Sequence, residues 1–299
     1  MVGIEPIHAA SASADGYRVM VDRVWARRRT ARLALPRSCT IPPMLRSIIF
    51  GVLFYVATAT LAVLGLPVLL GPRRWAMALL RLHARVSLAL LRVIVGTRVE
   101  VRGLDRLPRG ACLVAAKHQS AWDTFALVPL FADPAFVLKA ELLRIPLYGW
   151  YCRKFGMIPV TRADGVSALR KLIAIARSRT DEGRQVLIFP EGTRRPPGAQ
   201  PAYKRGIVPL YEGLGVACVP VALNSGLYWP RRSWHRHPGT IIVEILPPIP
   251  PGLPRAALLA RLEGDIETAC DLLLREAAAG NPAPPLPETA IARLAALAG

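Results

Sequence analysis

From Ile48 to Leu70 the chain carries no charged side chain. A charge-free run of 23 residues is long enough to cross ~30 Å of hydrocarbon as a helix. The run does not end in the small-residue pattern that a signal peptidase cuts, so it is not read as a secretory leader. Arg46 precedes it and Arg73-Arg74 follow it. Positive charge on both flanks gives no orientation. The next stretch, Trp75 to Val95, places Arg81, Arg85 and Arg92 within ~40° of one another on a helix, with aliphatic residues elsewhere. Such a helix suits an anionic membrane surface, with arginines at headgroups and aliphatics below them. It also suits an amphipathic helix packed on a globular core. Two helices in tandem form either a spanning pair or a re-entrant hairpin.

The net charge of the 299-residue chain is +19. A surplus of that size points to an anionic partner. Aromatic residues are scattered and no nucleic-acid-binding motif is present, so a lipid surface or a phosphorylated substrate is favoured over nucleic acid. Five cysteines, Cys39, Cys112, Cys152, Cys218 and Cys270, are dispersed without metal-like or disulfide-like spacing. That usage fits a reducing, cytosol-facing compartment. Cys112 lies near His118, but a small buried strand residue explains it better than a nucleophile does.

Residues 1–43 hold the cluster Arg27–Arg29 and little periodicity. They read as disordered, or as preceding a true translation start at Met44. Residues 44–96 read as the membrane-associated helices. From residue 97 the pattern becomes that of an α/β domain reaching to 246. Short apolar or alternating runs at 97–102, 111–116, 135–139, 157–162, 185–190, 217–223 and 239–246 read as strands. Helical patterns at 167–179 and 206–212 fall between them, and another starts at Ser120. This alternation predicts a mixed, largely parallel sheet flanked by helices. Residues 247–299 read as a C-terminal helix over 256–278 and a Pro-rich tail.

Four stretches carry candidate chemistry. In Lys117-His-Gln-Ser-Ala-Trp-Asp123, His118 follows a buried strand and Asp123 comes five residues later. Ser120-x-x-Asp123 fits a helix cap. The same spacing lets a carboxylate orient an imidazole as a base. Phe189-Pro-Glu-Gly-Thr-Arg-Arg195 follows another buried strand. Such a turn exposes backbone N–H groups, and guanidinium forks match phosphate oxygens. A solvent-facing turn is the plainer reading, and Glu191 beside Arg194 also suits a local ion pair. Lys139 to Arg162 mixes apolar residues with basic ones. Val219 to Gly226 reads as a strand ending in a polar turn and by itself says little.

In this order and at these spacings, the four stretches resemble the glycerolipid acyltransferase family, best known from bacterial 1-acyl-sn-glycerol-3-phosphate acyltransferases. His118 and Asp123 match its H-x4-D motif. Gly156 to Arg162 resembles its second block, Phe189 to Arg194 its third, and Val219-Pro220-Val221 its fourth. The lead-in Lys139, Glu141-Leu142, Ile145-Pro146 and Gly149-Trp150 is familiar from the same family. Lys117 departs from the asparagine that often precedes the motif histidine, which places a positive charge beside the imidazole or toward an anionic substrate.

The resemblance implies an O-acyltransferase of phospholipid biosynthesis. His118 is its general base and Asp123 orients it. Arg162, Arg194, Lys139 and the Glu191-Gly192-Thr193 turn bind the acceptor. The donor is acyl-CoA or acyl carrier protein and the acceptor is lysophosphatidic acid-like. No metal, cofactor or nucleic acid is implied. The expected location is a bacterial inner membrane, with the site facing the cytoplasm. A different acceptor stays open (glycerol 3-phosphate, another lysophospholipid or a lyso-aminolipid), as does a non-catalytic membrane-binding module.

Overall fold

The computed structural model describes residues 41–161 and 165–299. The expectation for residues 1–43 falls almost wholly outside them.

Helix α1 spans Pro43–Leu64, with proline in its first turn and Gly65 just past its end. Proline costs nothing at a helix start, where the N–H has no partner in any case. Among the described residues it is the one helix long and apolar enough to cross a membrane. Helix α2 spans Arg73–Leu90 and continues as a π-helical turn over Leu91–Val95. Gly96, at φ 87°, ends it in the left-handed conformation that glycine adopts without cost.

Seven strands form one sheet: β1 Thr97–Arg102, β2 Cys112–Ala116, β3 Pro134–Lys139, β4 Ile158–Val160, β5 Gln185–Ile188, β6 Cys218–Leu223 and β7 Gly239–Ile245. Their order is β1-β7-β6-β2-β5-β3-β4. All neighbours are parallel except β6 and β7. The mixed, largely parallel sheet read from the sequence is therefore the one observed, and each strand lies within two residues of its expected ends. Between strands run α3 Asp123–Ala126, α4 Tyr148–Phe155, α5 Gly165–Asp181, α6 Ile207–Leu214 and α7 Ser225–Tyr228. Helices α8 Arg255–Ala278 and α9 Glu288–Ala296 follow the sheet.

Every residue of β2 and β6 is buried, as strands covered on both faces require. Leu258, Leu262, Ile266, Ala269 and Leu273 of α8 recur at helical spacing and enter this core with Leu172 and Ala176 of α5. Burying each such large aliphatic side chain contributes about 1.5–3 kcal/mol. Helix α8 is thus part of the sheet's core, and α9 is a helix that the proline-rich approach to it concealed.

Two sequence expectations are corrected here. Ser120 does not start a helix: α3 is a single turn beginning at Asp123. Val128-Pro129-Leu130 turns the chain next, and proline cannot continue an α-helix. The arginine stripe is also divided. Arg81 donates to the Ala132 carbonyl, and Arg92 alone of the three is exposed. Arg81 thus spends a donor on the protein, and Arg92 keeps its side chain in the open.

Candidate active site

Because β6, β2, β5, β3 and β4 run the same way, their carboxyl ends lie at one edge of the sheet. β2 delivers His118 there, β5 delivers Phe189 to Arg195, and β6 delivers Ser225. This is the edge at which open α/β sheets bind ligands.

His118 Nδ1 lies 2.9 Å from Asp123 Oδ2. Asp123 is fully buried and accepts further bonds from the Gln119 N–H at 2.8 Å, the Ser120 N–H at 2.9 Å and Ser225 Oγ at 2.6 Å. Four donors around one carboxylate fix its orientation. Half of the expected cap exists, since the acid reaches back to the Ser120 N–H. The other half is redirected, because Ser120 Oγ accepts from the Trp122 N–H at 3.1 Å. With Nδ1 held by Asp123, Nε2 is the ring atom left for a substrate. The ring stacks on Phe189 at 4.0 Å between centroids and keeps 13% of its side chain exposed.

The Phe189–Arg195 turn passes beside this ring, and the Arg195 N–H donates to the His118 carbonyl at 2.8 Å. Gly192, at φ 65°, permits a left-handed bend, and its N–H closes the turn on the Phe189 carbonyl at 2.9 Å. These two N–H groups therefore hold the turn together and do not face outward as expected. Arg194 is half-buried, and its carbonyl accepts from Arg231 Nη1 at 2.9 Å. Thr193 is exposed, and Lys139 is exposed at the carboxyl end of β3. Arg162 lies outside the described residues. Cys112 is buried within β2 and its thiol is pushed up to about 12 by that burial, which leaves no thiolate near neutral pH.

Glu191 turns inward instead of pairing with Arg194. Its Oε1 sits 3.1 Å from Lys117 Nζ, and both side chains are at most 3% exposed. Lys117 also meets Glu267 of α8 at 2.6 Å, and Glu267 accepts from Tyr203 Oη at 2.8 Å. The expectation that Lys117 faces substrate is thus corrected. Adjacent residues at a strand end point to opposite sides, so His118 faces the cleft and Lys117 the interior. Burial pulls the Lys117 ammonium down, but Glu267 and Glu191 outweigh it and hold its pKa above the ordinary value. Among the described residues, no cluster of three or more His, Cys, Asp or Glu side chains is placed to hold a metal ion.

Comparison with known proteins gives this edge a family context. Residues 98–224 match the Acyltransferase family model. The matched segment contains His118, Asp123, the Phe189–Arg195 turn and the whole of β6. The chain is 41% identical, over 163 residues, to a 1-acyl-sn-glycerol-3-phosphate acyltransferase of Pseudomonas aeruginosa, covering 54% of this chain and 63% of that one. A chloroplastic 1-acyl-sn-glycerol-3-phosphate acyltransferase of Brassica napus is 30% identical over 142 residues, 46% of this chain and 40% of the relative. The human alpha enzyme of the same name is 30% identical over 169 residues, 56% and 60% of the two chains. The chain thus spans less than two thirds of the length of these relatives. The crystal structure of the 1-acyl-sn-glycerophosphate acyltransferase PlsC from Thermotoga maritima shares the fold, with a TM-score of 0.65 and 24% identity, over 77% of this chain and 95% of that one.

Ser225, Gln119 and Phe189 complete the candidate site, and the sequence motifs assign a role to none of them. Ser225 stands in the stretch Val219–Gly226, and its position at the end of a buried strand is the available signal. Gln119 accepts the Gly226 N–H at 3.0 Å, tying that turn to the histidine loop.

Proposed function

We propose that the chain transfers a fatty acyl group from acyl-CoA or acyl carrier protein to the free hydroxyl of 1-acyl-sn-glycerol 3-phosphate, giving phosphatidic acid. The observation that carries this reading is His118 held through Nδ1 by the four-fold bonded, buried Asp123, with Nε2 left for a substrate beside the Phe189–Arg195 turn. The names of the relatives support it. Nε2 takes the acceptor's hydroxyl proton as the oxygen attacks the thioester carbonyl. The tetrahedral adduct collapses, the C–S bond breaks, and the leaving thiolate recovers the proton from the imidazolium. Asp123 stabilises the imidazolium in between. Arg194, Arg162 and Lys139 bind the acceptor phosphate, with Gly192 and Thr193 shaping the turn. Glu191 acts from beneath that turn.

The acceptor is a membrane lipid, and we place the chain at the cytoplasmic face of a bacterial inner membrane. Both ends of α1 touch the α/β domain: Ser47 Oγ exchanges hydrogen bonds with Arg236, and Tyr151 Oη donates to Ala62 at 2.8 Å. Fifteen residues of helix separate those contacts by ~22 Å. A helix crossing the bilayer would drag Tyr151 and Arg236 into hydrocarbon, so the re-entrant reading, with α1 along one leaflet, is favoured over a spanning pair.

The test is acyl transfer by purified protein to lysophosphatidic acid and a panel of other lyso-acceptors. His118→Ala is expected to lose about 10²–10⁴-fold in turnover, the contribution of a general base. Undiminished transfer by that variant would overturn the mechanism.

A further inference from the structure

We infer that Lys117 is a positioning residue that sets the acceptor-binding turn from behind, and that it screens Glu191 from Glu267 of α8, its second carboxylate partner. The inference rests on the acceptor-binding reading of the Glu191–Arg195 turn.

The His118 loop and the turn are joined on both sides of the strand end. In front, the Arg195 N–H holds the His118 carbonyl at 2.8 Å. Behind, Lys117 Nζ holds Glu191 at 3.1 Å. Glu191 is 1% exposed, and its other oxygen finds no hydrogen-bond donor among the described residues. Its next cationic neighbour is Arg195, whose Nε lies 3.9 Å from Oε1. Lys117 is therefore the near cation that keeps this carboxylate in place under the turn. A lone buried ammonium between two carboxylates is retained only where its geometry and counter-charges are both supplied. Glu267 supplies the closer one, at 2.6 Å, and Tyr203 fixes Glu267 at 2.8 Å.

Glu267 lies beyond residue 224, where the acyltransferase match ends. The catalytic segment thus borrows a part from the helix that follows it. Helix α8 is seated by Leu262, Ile266 and Ala269, all buried, so the borrowed carboxylate stands on a rigid element. The consequence is a specific dependence. Removing Lys117 leaves the buried Glu191 facing the partly covered Glu267 as like charges, and the turn moves. Removing the Glu267 charge along with Lys117 relieves the repulsion, and the turn returns.

The experiment compares wild type, Lys117→Asn, Glu267→Gln and the double variant in full-length protein. Two readouts are taken: steady-state kinetics with lysophosphatidic acid, and hydrogen exchange at the 192–195 amides. Lys117→Asn is expected to raise the acceptor KM about 10–100-fold, the range for losing a charged hydrogen bond. It should leave kcat and the donor KM within threefold and speed exchange in the turn. The double variant should recover most of the acceptor KM. Glu267→Gln alone, which keeps the Lys117–Glu191 pair, should stay within threefold throughout.

Wild-type acceptor KM and exchange in Lys117→Asn would overturn the inference, and so would a double variant no better than the single. Should Lys117→Asn not fold, the other two variants decide the matter, and loss of the acceptor KM or of folding in Glu267→Gln overturns the inference. If wild type transfers no acyl group at all, the functional reading has failed. Exchange at residues 192–195 then still reports whether Lys117 holds the turn.

Discussion

Ser225 shows how one hydroxyl can set the carboxylate of the proposed catalytic pair. Its Oγ reaches Asp123 Oδ1 at 2.6 Å in a fully buried setting. A hydrogen bond to a charged group contributes about 1.5–3 kcal/mol. Ser225→Ala is therefore expected to lower kcat roughly 10–100-fold with little change in either KM, as steady-state kinetics can check. Glu191 carries a pH signature. Burial raises its carboxyl above the ordinary 4.5, against the opposing pull of Lys117. Between 4.5 and the folded value the folded chain holds a proton that the unfolded chain has released. Its contribution to stability therefore falls as pH rises through that window. Glu191→Gln, uncharged throughout, should lack this fall, so its melting temperature relative to wild type should climb from pH 4.5 toward neutrality. A flat difference would contradict the shift. At this scale the sequence announces the His118–Asp123 contact, because five residues at a strand end bring the two side chains within reach. It does not announce the inward turn of Lys117, because its partners lie 74 and 150 residues away.

Among elements, Arg184 secures the end of the sheet opposite the site. It is 1% exposed, donates to the Phe155 carbonyl at 2.8 Å and to Pro134 at 3.3 Å, and pairs with Asp133 at 3.4 Å. Asp133 in turn takes both Nη atoms of Arg73 at 2.7 Å, which ties α2 to the start of β3. Losing its donors leaves the Phe155 and Pro134 carbonyls unpaired, at a cost of about 1–3 kcal/mol. Arg184→Met should therefore lower the melting temperature by about 2–12 °C, measurable by differential scanning fluorimetry in detergent. The strands are legible because buried runs bounded by turns have few other solutions. The helix expected at Ser120 is not, since its length is decided by Pro129 and by Asp123 accepting from residues 119 and 120. The π-turn at 91–95 leaves no mark in hydrophobic spacing at all.

Across the whole molecule, α1 meets the domain along one side and leaves most of its apolar surface exposed. Phe50 and Phe54 meet Trp229 at 5.3 and 5.6 Å between ring centroids. Val52, Tyr55 and Val56 on its other side are 54–62% exposed. Exposed apolar area this continuous belongs against lipid. A fluorophore at Tyr55→Cys in vesicles carrying nitroxide lipids should be quenched several-fold more than one at Ser178→Cys on α5. Equal quenching at the two positions would remove the membrane reading.

The same seam has a consequence in time. Trp229 leaves the ribosome 179 residues after Phe50, which at ordinary elongation rates is about 10–40 s later. For that interval α1 exists without the rings and the Arg236 backbone that later clasp it. Something else must shelter its apolar face meanwhile, either a chaperone or the bilayer itself. The order of synthesis therefore has the helix sheltered before the domain is finished, and the domain closes onto a helix already formed.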